Sequence, residues 1–171
     1  MKRGNPPTLS THVHLMKKAL KEAHKAYLAD EVPVGALLYH QPSETLLFKA
    51  HNQSEKLKNP LKHAEMIVIH QALDTYPPFF LENCILYVTL EPCPLCASAI
   101  LMCRIPYLVF AAYNPKGGAI THGSRLYDTH KNGSRPEIIS GICESESSAL
   151  LTRFFKEKRL KRQSNSLRNH S

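Results

Sequence analysis

Two short stretches carry side chains that can do chemistry together: His63-Ala64-Glu65 and Pro92-Cys93-Pro94-Leu95-Cys96. A lone C-x-x-C reads three ways: a redox pair, half of a structural zinc site, or part of a catalytic metal site. A structural zinc needs two more ligands at a similar spacing, and there is no second C-x-x-C. A thioredoxin-like pair starts a helix directly after a strand and needs no second reactive feature elsewhere. With His63 added there are three nitrogen or sulfur ligands and no fourth, which describes a zinc ion with one coordination position open to water. Glu65 is then free of the metal shell. Its carboxylate can take a proton from that water and pass it on.

The other candidates are weaker. Cys84, Cys103 and Cys143 bring the cysteines to five, and an odd count does not look like a disulfide framework. We read these three as small buried apolar residues. His51 sits near a strand end, and His12, His14, His24, His130 and His170 sit in polar or basic segments. His70 follows His63 by two helical turns and reads as a packing residue.

These groups need elements to position them. The chain has 171 residues, 43% of them hydrophobic, enough for one compact core. We expect a single domain over residues 1–171, with its core at about 11–162 and a disordered basic tail at about 163–171. No stretch approaches the ~18 uninterrupted apolar residues of a membrane helix, and the N-terminus lacks the apolar run of a secretory signal. The expectation is a soluble, cytoplasmic protein without a membrane partner.

Thr11 can cap a helix to about Ala29, with Met16, Ala19, Leu20, Ala23, Ala26 and Tyr27 inward. "VPVGALLYH" and "TLLFKAHN" read as antiparallel strands joined at "QPSE". "HAEMIVIHQAL" reads as a helix with Met66, Ile69 and Leu73 inward, and "CILYVTL" as a strand covered on both faces. A helix from Pro94 to about Arg104, a strand "YLVFAA", a weak strand near "PEIISG" and a helix from about Glu144 to Lys161 complete the order. Leu150, Leu151, Phe154 and Phe155 make that last helix amphipathic. The pattern predicts an α/β fold: three layers, α-β-α, around a central mixed five-stranded sheet. Each chemical segment falls at a helix N-terminus bordering the sheet, where unpaired N–H groups favour thiolates and where ligands bind in open α/β folds.

Charge points to a partner. There are 22 Lys and Arg against 14 Asp and Glu, a net charge of +8. Residues 153–171 hold seven Lys and Arg and one Glu, so +6 of it lies there. Such a segment suits a phosphate-bearing partner, although basic helix ends also serve solubility and the helix dipole.

The H-x-E … P-C-x-x-C combination resembles the signature of the zinc nucleobase deaminases. "DEVPVGALL", "HAE", "LYVTLEPCPLCASAI", "RIPYLVFAAYNPKGGA" and "ALLTRFFKEKR" resemble the bacterial tRNA-specific adenosine deaminases in order and spacing, over roughly residues 12–160. The metal motif is shared across the cytidine/deoxycytidylate deaminase superfamily. The hairpin, the "NPKGGA" loop and the final "FF" with its basic run favour the tRNA enzyme. The resemblance implies a cytidine-deaminase-like fold and a homodimer with one Zn2+ per subunit. It also implies hydrolytic conversion of adenosine to inosine at the wobble position of a tRNA anticodon stem-loop. It further implies that His63, Cys93 and Cys96 hold the zinc, that Glu65 moves protons, and that Asn52 contacts the base. Asn114, Lys116, Phe155 and Lys156 are candidates for RNA contacts. The family usually carries Asp where this chain has Asn114, which removes a negative charge close to the expected RNA path. The segment "ITHGSRLYDTHKNGSRPE" matches the family only loosely. A deaminase of a free base or nucleotide would share zinc, Glu65 and fold without needing the basic helix. A zinc-stabilised RNA-binding scaffold would have no use for Glu65.

Overall fold

The computed structural model describes residues 7–129 and 135–168; His130, His170 and the last residues of the expected tail lie outside them. The elements in chain order are α1 (Leu9–Leu28), β1 (Gly35–His40), β2 (Thr45–His51), α2 (Ala64–Thr75), a 3-10 turn (Pro78–Asn83), β3 (Cys84–Leu90), α3 (Pro94–Met102), β4 (Tyr107–Ala112), a short α4 (Leu126–Thr129), β5 (Glu137–Ser140) and α5 (Glu144–Arg168). The five strands form one sheet in the order β2-β1-β3-β4-β5. β1 is antiparallel to both β2 and β3, while β3, β4 and β5 run parallel. This is the expected mixed sheet in a three-layer α/β fold.

The layers follow from alternation along the central strands, where successive side chains point to opposite faces. Leu37, Tyr39, Ile85, Tyr87 and Val109 pack with Leu15, Met16 and Ala19 of α1. Leu38, Leu86, Val88, Leu108 and Phe110 pack with Val68, Ile69 and Ala72 of α2 and Ala97 and Ile100 of α3. Gly35 sets how closely α1 approaches β1, because a Cβ there would lie 2.1 Å from the Ala19 carbonyl oxygen.

Several expectations are corrected. The cap of α1 is Thr8, whose Oγ1 accepts the Thr11 N–H at 3.3 Å; Thr11 is the donor, not the cap. The inward face of α2 is Ala64, Glu65, Val68, Ile69 and Ala72, leaving Met66 half-buried and Leu73 exposed. Apolar residues cover most sides of this helix, and the small Ala64 and Ala72 decide which side lies on the sheet. His70 is exposed and packs no core. Cys84 is buried as expected, but Cys103 and Cys143 are only partly so. α5 does not stop at Lys161 but continues to Arg168, so residues 163–168 are helical rather than a disordered tail. No Gly or Pro between 144 and 168 interrupts it. Its buried positions are Ser147, Leu151 and Phe154, so Phe154 packs inward and Phe155 is exposed. No described helix is long and apolar enough to cross a membrane.

Candidate active site

Both chemical segments open helices at the same end of the sheet. His63 is the N-cap of α2 and Cys93 the N-cap of α3, and neither side chain caps its own helix. Each is therefore free to turn toward the other. His63 Nδ1 lies 3.5 Å from Cys93 Sγ and 3.4 Å from Cys96 Sγ. One ligand atom from each of the three residues lies within 4.8 Å of the others, the only such group among the described residues. Two soft sulfurs and an imidazole suit zinc, and three protein ligands leave one position open.

The electrostatics favour a thiolate at Cys93. A hydrogen bond from the Cys96 thiol, together with His63, holds Cys93 down at about 4, while Cys96 is pushed up in return. The same contact with Cys93 raises His63. Proline at the first position of α3 needs no N–H partner there and starts the helix.

Glu65 is the second residue of α2 and only 4% exposed. Burial, reinforced by nearby Cys93, pushes its carboxyl above the usual carboxylate range. It lines a cavity of about 180 Å³ with His63, Cys93, Asn52, Glu91, Asn114 and the apolar Val32, Val34 and Leu90. An adjoining cavity of about 390 Å³ shares Val32, Asn52 and His63, and is completed by Glu31 and residues of the 54–60 loop. The inner space has polar groups converging between apolar walls, as a planar base requires.

Asn52 follows β2 directly, and its Oδ1 accepts the Ala64 N–H at 2.9 Å. Asn114 reaches the cavity from the turn after β4, and its Oδ1 accepts the Gly117 N–H at 3.0 Å. Lys116 lies exposed on that turn, and Phe155 and Lys156 lie exposed on α5; none of the three lines either cavity. The structure therefore gathers His63, Cys93, Cys96, Glu65, Asn52 and Asn114, and leaves the other three on the surface.

Two further buried carboxylates stand at the cleft, neither of them singled out by the sequence pattern. Glu31 accepts the N–H groups of Glu55 and Lys56 at 3.0 and 2.7 Å, anchoring the loop that walls the outer cavity. Glu91 is 1% exposed and bonded to the segment after β4. The available signal was positional: each acid adjoins a Val-Pro or Pro-Cys step at the cleft end of the sheet.

Comparison with known proteins places this geometry. The family model for the cytidine and deoxycytidylate deaminase zinc-binding region matches residues 9–112. A curated tRNA-specific adenosine deaminase from Bacillus subtilis is 40% identical over 147 residues, covering 86% of this chain and 90% of its own. One from Agrobacterium fabrum is 40% identical over 152 residues, covering 89% and 99%. A solved structure from work on A-to-I editing by tRNA:A34 deaminases at the wobble position of transfer RNA is similar, with a TM-score of 0.73 and 38% identity. It covers 81% of this chain and 99% of its own. A guanine deaminase from Nitrosomonas europaea, at 21% identity and a TM-score of 0.64, shares the fold.

Proposed function

Because this chain belongs to the tRNA-specific adenosine deaminases, within the zinc-binding cytidine and deoxycytidylate deaminase family, we propose that it converts adenosine to inosine at the wobble position of a tRNA anticodon loop, releasing ammonia. The observation that carries this reading is the buried Glu65 carboxylate in the same small cavity as His63 and Cys93 of the metal triad. When bound by His63, Cys93 and Cys96, zinc supplies Lewis acidity, making a water reactive near neutral pH.

The residues of the chain do the rest. Glu65 takes the proton of the attacking water and delivers it to N1 of the purine as C6 is attacked. It then carries the second proton to the departing amine. Its raised proton affinity suits a group that must both accept and return protons. Asn52 presents an amide to the base edge while its oxygen holds the start of α2. Val32, Val34 and Leu90 wall the ring and keep bulk water away. The outer cavity offers room for an adjacent nucleotide. The exposed Lys116, Phe155 and Lys156 are in position to meet the RNA outside the cavity rather than inside it.

We read the enzyme as a homodimer acting in the cytoplasm, where its substrate is found. α3 supports the dimer: Leu95 and Met102 lie on one outer face, and Met102 is 83% exposed. Apolar side chains exposed in one stripe suit contact with another protein surface.

The deciding experiment is inosine formation by zinc-loaded protein on an anticodon stem-loop with adenosine at the wobble position. Free adenine, guanine and cytosine run in parallel. Inosine in the RNA alone is expected, with rates falling steeply as salt rises. Ammonia released only from a free base would replace the substrate and leave the chemistry standing.

A further inference from the structure

Glu91 takes no part in the chemistry assigned above, yet its carboxylate holds one wall of the cavity. We infer that Glu91 is a positioning residue for substrate, shaping residues 114–122 so that Asn114 lines the cavity beside Glu65 and Cys93.

Five donors converge on this one side chain. Oε2 accepts the Asn114 N–H at 2.9 Å and faces His122 Nδ1 at 2.8 Å. Oε1 accepts the N–H groups of Thr121 at 2.7 Å, His122 at 2.9 Å and Ile120 at 3.2 Å. The backbone around the carboxylate is tied to the metal turn as well, for Ala119 N–H reaches the Pro92 carbonyl at 2.9 Å. Glu91 itself donates its N–H to the Ala112 carbonyl at the end of β4. The wall and the Cys93 turn are therefore joined through the Glu91 carboxylate and the Ala119–Pro92 backbone bond, while Ala119 and Ile120 anchor the far end of the wall in the core.

The glycine pair of "KGGA" fits this arrangement. A Cβ on Gly118 would lie 2.5 Å from the Glu91 carboxyl carbon and 2.7 Å from the Asn114 carbonyl oxygen. On Gly117 it would meet only the Asn114 side chain, at 3.3 Å. The second glycine is thus required by the approach of Glu91, and the first is not. The carboxylate is needed because four backbone N–H groups and an imidazole must be satisfied at one point, and an ionised carboxylate offers about four acceptor sites.

Glu91→Gln separates positioning from mere support. A carboxamide has one acceptor oxygen, so the donors now on one of the two oxygens lose their partner. This inference rests on the RNA-deaminase reading, and the parent enzyme runs alongside on the anticodon stem-loop. With the metal ligands and Glu65 untouched, KM for the RNA should rise about tenfold or more and kcat should stay within about threefold. Zinc content should remain that of the parent. A purely structural role lowers the active fraction, so kcat falls at constant KM; that result, or unchanged constants, would overturn the inference. Gly118→Ala keeps the carboxylate but displaces it. It should show the same rise in KM, and it carries the test where Glu91→Gln does not fold. A parent that leaves the RNA unreacted removes the deaminase reading and this inference together. An active parent with an unchanged KM in both variants removes this inference alone.

Discussion

The Asn52 side-chain oxygen accepts the first backbone N–H of α2, at Ala64, across 2.9 Å. One residue thus caps the helix that carries Glu65 and lines the cavity where the base is to bind. Asp at this position retains the acceptor, while Ala removes it. Asn52→Ala should lose about 1 kcal/mol of stability, and Asn52→Asp should keep the parent's thermal midpoint. Both should lower kcat/KM about tenfold or more, because both lack the amide donor. Melting curves beside inosine assays separate the two roles. Full activity in Asn52→Asp would show that the amide does not touch substrate.

Glu65→Gln keeps the shape of the buried side chain and removes its ability to move protons. Turnover should fall by about 10³-fold or more, within the range that a positioned acid-base contributes. The zinc content measured by metal analysis should match the parent, because Glu65 lies outside the ligand triad. Retained turnover would end its assignment as the proton carrier.

Removing the metal should cost both activity and rigidity. His63 and Cys93 are the N-caps of two helices and Cys96 lies in the first turn of the second, so a chelator strips the link between the start of α2 and the start of α3. Dialysis against chelator should abolish inosine formation and lower the unfolding midpoint, with zinc restoring both and magnesium neither. Unchanged melting after complete zinc loss would show that the triad is already held by packing.

The acid limb of stability should carry the mark of Glu91. Burial alone raises its carboxyl, but hydrogen bonds from Asn114, His122 and Thr121 outweigh that and hold it down at about 2, against an ordinary 4.5. A folded value below the unfolded one means stability that is present above about pH 4.5 and lost as pH falls toward about 2. Measured on zinc-free protein, the stability difference between parent and Glu91→Gln should shrink by about 3 kcal/mol over that window. A difference independent of pH would mean that the charge is not what the loop requires.

Asn114→Asp tests the charge that this chain lacks. Its Oδ1 accepts the Gly117 N–H, a bond that Asp can also accept, so the turn should keep its shape and only the charge should change. We expect discrimination between matched RNA and DNA loops to increase, read as the ratio of kcat/KM. Equal ratios in parent and variant would remove Asn114 from the account of nucleic-acid choice.

The metal triad was legible because its chemistry dictates residue types and because helix starts announce themselves in sequence. His63, Cys93 and Cys96 stand in such places, and Pro94 marks one of them. The sheet was legible from period-two alternation and from the continuous apolar run of β3. Glu31 and Glu91 were not, because their partners are mainly backbone N–H groups more than 20 residues away, which carry no side-chain signature. The rotation of α2 was hidden for a related reason: with apolar residues on most sides, the close approach permitted by Ala64 and Ala72 decides. Phe154 and Phe155 are adjacent and chemically identical, so only the docking of α5 on α1 tells the core residue from the surface one.

That docking has a consequence for how the molecule is made. The Tyr27 hydroxyl bonds Glu157 across 130 residues, and Lys158 reaches Asp30 at 2.7 Å. Contacts so distant along the chain form late, and during synthesis they must wait for the final helix to emerge from the ribosome. All three metal ligands lie before residue 97, so α5 supplies none of them. The helix that closes over α1 is thus separate in the chain from the metal-binding segments, and weakening its bonds to Tyr27 and Asp30 should loosen α1 while leaving the ligand set itself intact.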